Sequence, residues 1–181
     1  IVARLSYPFV IGSQIIEPGI QAYTGKFELP NDILTKGVKY APGRNYIDQR
    51  AAASFILYPR PFGIQAEYNI GRGPEFNKDT DSIETQDLTG GYATFSYMIR
   101  AKKQLIYPFV RVQYYDGGKK HEQDARSFKV NELELGVEWE PFDAFELVAM
   151  YTISSRRYED LELENNFQQG SLLRLQAQLN F

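Results

Sequence analysis

The chain of 181 residues contains no cysteine, which excludes disulfides and thiolate metal sites. It has no run of about 20 apolar residues that could form a membrane-spanning helix. Lys and Arg number 20 against 23 Asp and Glu, so no basic excess indicates a nucleic-acid partner. The single histidine, His121, lies among polar residues without a nucleophile and an orienting partner. The sequence therefore predicts neither an enzyme nor a metal or cofactor site.

What the sequence does contain is aromatic residues in a polar background. There are 13 Tyr and 12 Phe, yet the mean hydropathy is -0.41. A hydropathy profile of this kind is typical of soluble proteins. It is also what a transmembrane barrel produces, because barrel strands alternate apolar and polar residues instead of running apolar.

Alternation with a period of two runs through the whole chain. In LLRLQAQLNF, residues 172–181, Leu173, Leu175, Ala177 and Leu179 alternate with polar side chains. This period predicts β-strands with two unlike faces, and no segment has a convincing helical period. The apolar positions define nine predicted strands, at residues 3–9, 18–22, 51–57, 62–70, 93–99, 106–114, 133–139, 145–153 and 173–179.

The links between these strands alternate in length. Short links cover residues 11–14, 58–63, 100–104 and 140–145, and long links cover residues 26–47, 71–87, 116–128 and 154–170. Short periplasmic turns and long external loops are typical of outer-membrane barrels. The sequence thus predicts an all-β protein, an antiparallel transmembrane β-barrel. Because such barrels have an even strand count, the nine strands predict that residues 1–181 are the C-terminal portion of a larger barrel, with the missing strands upstream or supplied by another chain.

The composition of the polar face helps to decide which face contacts water and which contacts lipid. Mid-strand it carries Gln, Ser, Thr and Asn with interspersed charges, which suits a hydrated pore better than a surface in bulk water. Aromatic residues near the strand ends, among them Trp139 and Phe181, are expected at membrane interfaces. The alternative from another class is a soluble β-barrel whose apolar face encloses an apolar ligand. Purification without detergent would favour that alternative.

Six stretches resemble a known family along nearly the whole chain: QAYTGKFELP, QRAAASFILYPRPFGIQAEYNIGRGPEF, GGYATFSYM, LIYPFVRVQYYDGGKKHE, ELELGVEWEPFDAFELVAMYT and GSLLRLQAQLNF. They are similar to the C-terminal half of the phosphate-selective porins O and P. The resemblance implies a barrel of about sixteen strands with a water channel. It also implies a homotrimer in the lipid bilayer of the bacterial outer membrane, with passive diffusion of small anions such as phosphate. In that family arginines line the pore and lysines hold the anion at a constriction.

Alternation places candidate pore-lining residues on the polar face. The arginines that we expect to contact anions are Arg4, Arg50, Arg111 and Arg174, with Arg100 and Arg156 at strand ends. The carboxylates of the same face are Glu17, Glu67, Glu132, Glu134, Glu138 and Glu146. Guanidinium groups attract anions. The alternative is that each arginine is paired with a neighbouring carboxylate, and a ring of carboxylates would favour cations. A general or cation-favouring porin of the same fold is therefore the alternative to an anion channel.

In this interpretation the lysines do not lie in the predicted strands. All are expected in loops and turns: Lys26, Lys36, Lys39, Lys78, Lys102, Lys103, Lys119, Lys120 and Lys129. A loop folded into the pore could bring some of them to its wall.

Overall fold

A computed structural model describes residues 1–29, 39–120, 125–158 and 166–180. His121, Lys36 and Phe181 lie outside these ranges. The described residues form one antiparallel sheet of eleven strands, so the predicted all-β antiparallel fold is confirmed. The strands are β1 (Val2–Ser6), β2 (Phe9–Ile11), β3 (Gln14–Glu28), β4 (Asn45–Leu57), β5 (Phe62–Asn77), β6 (Ser82–Tyr97), β7 (Ile99–Ala101), β8 (Gln104–Gly118), β9 (Ser127–Phe142), β10 (Phe145–Tyr158) and β11 (Phe167–Leu179).

The nine predicted strands correspond to nine positions in the sheet, in the order β1-β3-β4-β5-β6-β8-β9-β10-β11. The first and fifth are each interrupted once. β2 continues β1 along β3 after Pro8, which has no amide hydrogen to donate to the ladder. β7 continues β6 along β8, and between them the Met98 amide donates instead to the carbonyl of Pro61 at 2.7 Å. Both ladders resume in the same register, so the faces are kept.

The register carries the apolar alternation across the whole sheet. Ala53 lies opposite both Ile20 and Tyr68, and Leu135 lies opposite both Val110 and Tyr151. Since a slip of one residue would exchange the faces, this register gathers the apolar side chains on one side of the sheet.

The apolar side is the exposed one. Leu135 and Val137 are 49% and 42% exposed, although both lie in strands with neighbours on each side, whereas Glu134 and Thr152 on the polar side are 7% exposed. We call the apolar side the outer face and the polar side the inner face. A soluble protein would bury the apolar side, so the outer face is suited to an apolar solvent.

Aromatic side chains mark two levels of the outer face. At the short-turn end Phe62 packs against Tyr97 with ring centroids 5.1 Å apart, and Phe142 stacks on Phe145 at 5.7 Å. Toward the long-loop end Tyr68 and Tyr114 lie 6.5 Å apart, and both hydroxyls contact that of Thr89 at 3.0 Å. Two aromatic levels enclosing an apolar band are typical of membrane barrels.

The link between β5 and β6 corrects a prediction. Residues 71–87 were expected to form a long polar link, but β5 extends to Asn77 and β6 begins at Ser82, which leaves a turn of residues 78–81. The polar composition suggested a loop, but a hairpin that projects beyond the apolar band does not need an apolar outer face. Lys26 and Lys129 also lie inside strands and not in loops, because β3 and β9 project in the same way.

This projecting hairpin packs against its neighbours. β4 and β5 stop pairing at Gln49 and Arg72, and beyond that point Phe76 and Ile83 join a buried cluster with Leu29, Tyr46 and Ala125. The amide of Phe76 donates to the carbonyl of Ala125 at 2.9 Å. The long-loop ends of three hairpins therefore form a small core above the sheet.

The sheet is open among the described residues: β1 and β11 each pair with one strand only. An open antiparallel sheet of this kind is consistent with part of a barrel wall. The described residues include no helix long and apolar enough to cross a membrane.

Candidate pore-lining face

The register places all six candidate arginines on the inner face. Arg50 lies opposite Tyr23, and Arg111 lies between Thr94 and Glu134. Arg4 lies opposite Gln21, and Arg100 lies opposite Leu105. Arg156 lies opposite Gln168, and Arg174 lies opposite Met150. Glu17, Glu67, Glu132, Glu134, Glu138 and Glu146 share that face.

Three of the arginines are paired with carboxylates. Arg156 Nη2 lies 3.0 Å from Glu132 Oε1. Arg111 Nη1 lies 3.8 Å from Glu134 Oε2, and the guanidinium of Arg111 stacks over the ring of Tyr92 at 4.7 Å. Arg50 Nε lies 3.8 Å from an oxygen of Asp48. The inner face therefore carries compensated charge along these strands.

Glu132 is the most heavily bonded of the predicted carboxylates. Its Oε1 accepts hydrogen bonds from Ser154 Oγ at 2.7 Å and from Arg156 Nη2 at 3.0 Å, and its Oε2 accepts one from Gln113 Nε2. The donors come from β8 and β10, on either side of β9. Such a network fixes the side chains of three strands in one arrangement.

Glu134 is buried but only partly satisfied. Thr152 Oγ1 donates to its Oε1 at 3.4 Å, while its Oε2 and the Nε of Arg111 have no hydrogen-bond partner among the described residues. The two charges face each other at 3.8 Å. A buried carboxylate needs this opposite charge, because isolated burial of an ion is costly.

The other candidates form no ion pair within the described part of the chain. Arg4 lies in β1 and Arg174 in β11, the two strands at the edges of the sheet. Glu67 accepts a hydrogen bond from Gln21 Nε2 at 3.1 Å. Glu138 and Glu146 lie toward the short-turn end, opposite Val148 and Gln178 respectively.

A second charged group on the inner face was not predicted. Asp48 of β4 is 6% exposed and accepts hydrogen bonds from Tyr23 Oη at 2.8 Å and from Lys120 Nζ at 2.6 Å. Alternation alone would have placed Asp48 beside Arg50. Nothing in the sequence links it to Lys120, which follows β8 and is 72 residues away.

Gly136 shapes the same face of β9. The ring of its cross-strand neighbour Phe109 lies directly over it, where a Cβ would overlap the ring carbons. The absent side chain leaves room for the Phe109 ring over this position.

Comparison with known proteins gives one match. The family model described as phosphate-selective porin O and P matches residues 20–181. No curated protein and no solved structure matches the chain.

Proposed function

Because the chain belongs to the phosphate-selective porin O and P family, we propose that it forms part of the wall of a water-filled channel in the bacterial outer membrane. Small hydrophilic solutes, anions such as phosphate among them, diffuse through this channel down their gradients. No bond is made or broken in that process, and no cofactor takes part. The family is one of channels, which agrees with this proposal.

The observation that carries the proposal is the unlike exposure of the two faces. Large apolar side chains are exposed on the outer face, while ion pairs and hydrogen-bonded carboxylates lie on the inner face. Lipid can solvate the apolar outer face, and water can solvate the polar inner face. A soluble barrel that binds an apolar ligand would require the opposite arrangement.

The arginines support the choice of anions as permeants. Arg4 and Arg174 have no carboxylate partner among the described residues, and a free guanidinium can bind two oxygens of a phosphate. Arg100 likewise forms no ion pair within the described part of the chain, whereas Arg50, Arg111 and Arg156 each have a carboxylate partner.

A cation-favouring porin is the second candidate, and a specific observation favours it. Arg50, Arg111 and Arg156 are each neutralised by a carboxylate. Glu67, Glu138 and Glu146 have no cationic partner within the described residues, and unpaired carboxylates on a pore wall attract cations.

Two measurements in planar lipid bilayers separate these candidates. The reversal potential in a KCl gradient gives the sign of selectivity, and added phosphate tests whether an anion site exists. We expect a potential that indicates anion preference and a chloride current that phosphate reduces. Cation preference with no effect of phosphate would support the second candidate. Absence of conductance, together with purification from cells without detergent, would contradict a porin altogether.

We also propose that the protein assembles as a homotrimer, as the family resemblance implies. The molecular mass of the detergent-solubilised protein, measured by light scattering with correction for detergent, tests this. A mass of one subunit would contradict it.

A further inference from the structure

The group around Asp48 joins two parts of the chain that the sheet keeps apart. β4 carries Asp48, and β8 ends two residues before Lys120. β5 and β6 lie between these strands, so three interstrand spacings, about 14 Å in total, separate them along the sheet. The contact between Lys120 and Asp48 therefore crosses the inner face.

The contact is short and largely shielded from solvent. Lys120 Nζ lies 2.6 Å from Asp48 Oδ2, and the two side chains are 20% and 9% exposed. The ammonium also lies 5.7 Å and 5.2 Å from the ring centroids of Tyr23 and Phe27. Charge-assisted hydrogen bonds with little solvent access are much stronger than surface pairs.

The surrounding residues provide space for this crossing. Gly25 lies opposite Asp48 and has open space where a Cβ would be. Gly73 on β5 lies beside Asp48, and a Cβ there would be 3.8 Å from Asp48 Oδ1. Asp48 is thus flanked on both neighbouring strands by residues without a side chain.

Asp48 also contacts a second cation, since Arg50 Nε lies 3.8 Å from its Oδ1. One carboxylate thus holds two of the cations that could attract anions at this end of the inner face. We propose that Asp48 is a positioning residue for permeation. It fixes Lys120, which follows β8, against the inner face, and it thereby sets the width and the charge of the path beside β4. This inference rests on the proposed channel function.

The first test does not depend on conductance. The chain has no native cysteine, and Ala125 is fully buried, so an Ala125→Cys thiol is expected to react slowly in the detergent-purified protein. Asp48→Asn and Lys120→Gln should each speed its labelling by a charged thiol reagent, on the order of tenfold, because each breaks the same pair and local opening becomes easier. Glu67→Gln is the matched control: it removes one carboxylate from the same face without releasing a cation. It should leave the labelling rate unchanged.

The second test uses the channel current. Asp48→Asn and Lys120→Gln change the charge of the path in opposite directions, so their reversal potentials should move in opposite directions, each by about fivefold in the anion-to-cation permeability ratio. Both should nevertheless increase open-channel current noise, whereas Glu67→Gln should shift the potential without added noise. Unchanged labelling of Ala125→Cys in both variants would overturn the proposal, even if the channel conducts. A silent wild-type channel with faster labelling in the variants would instead count against the proposed function alone.

Discussion

Glu132 shows how one side chain organises the inner face. Its two oxygens accept from Gln113, Ser154 and Arg156, which come from the strands on both sides of β9. The carboxylate neutralises Arg156 and holds it against the sheet. Removing its charge should therefore release a guanidinium toward the channel.

We predict that Glu132→Gln shifts the reversal potential toward anion selectivity. A unit charge about 8 Å from a permeant ion in water contributes about 0.5 kcal/mol, with opposite signs for an anion and a cation, which corresponds to about a fivefold change in their permeability ratio. Arg156→Gln should shift the potential by a similar amount toward cations. Equal potentials for the two variants would show that this ion pair does not face the path of the ions.

Gly136 offers a test of packing on the inner face. Gly136→Ala places a methyl group where the Phe109 ring lies, and overpacking of this kind costs about 1 to 3 kcal/mol. We expect a lower thermal unfolding midpoint, followed by circular dichroism in detergent. Gly170→Ala is the control, because a Cβ at Gly170 has nothing within 4 Å. Equal midpoints for the two variants would contradict the placement of the ring.

At the scale of elements, period-two alternation predicted the strands and their faces well. Each predicted strand has a counterpart in the sheet, because lipid on one side and water on the other force the pattern wherever the strand lies within the apolar band. The pattern weakens where strands project beyond that band. The sequence therefore predicted a loop at residues 71–87, although most of these residues continue the β5–β6 hairpin.

The contact between Lys120 and Asp48 could not be predicted from the sequence, for a different reason. It joins a residue that follows one strand to another strand three positions away in the sheet. Alternation indicates which face a strand residue occupies, but it says nothing about where a chain segment folds after the strand has ended. The pairing of Arg156 with Glu132 could be weighed only as an alternative, since alternation does not fix the register between strands.

The projecting β5–β6 hairpin leads to a prediction at this scale. Phe76 is buried in the cluster with Leu29 and Tyr46, and its truncation to alanine removes the side chain that anchors the hairpin, at a cost of about 3 to 5 kcal/mol. Phe76→Ala should speed trypsin cleavage after Lys78, in the exposed turn of this hairpin. Phe95→Ala, on the outer face of the same hairpin and 49% exposed, should leave the cleavage rate as it is. If both variants are cleaved at the wild-type rate, the cluster does not hold the hairpin.

At the scale of the whole molecule, the direction of the edge strands constrains any closed form. Successive strands in the nine-position sheet are antiparallel, so β1 and β11 run in the same direction. Closing the sheet with antiparallel pairs alone requires an odd number of further strands between them. About seven would give the sixteen strands that the family resemblance implies, and each unpaired backbone group at an edge in lipid would otherwise cost several kcal/mol.

The central claim is that lipid contacts the outer face and water contacts the inner face. A scan of single cysteines along β11, at residues 173–178, measures this directly in reconstituted protein, because all of these positions are exposed and the native chain contributes no thiol. We predict that thiols at the inner-face positions 174, 176 and 178 react with a charged aqueous reagent. Fluorophores attached at positions 173, 175 and 177 should be quenched by a lipid-bound quencher. Aqueous labelling at 173, 175 and 177 with protection at 174, 176 and 178 would contradict the account.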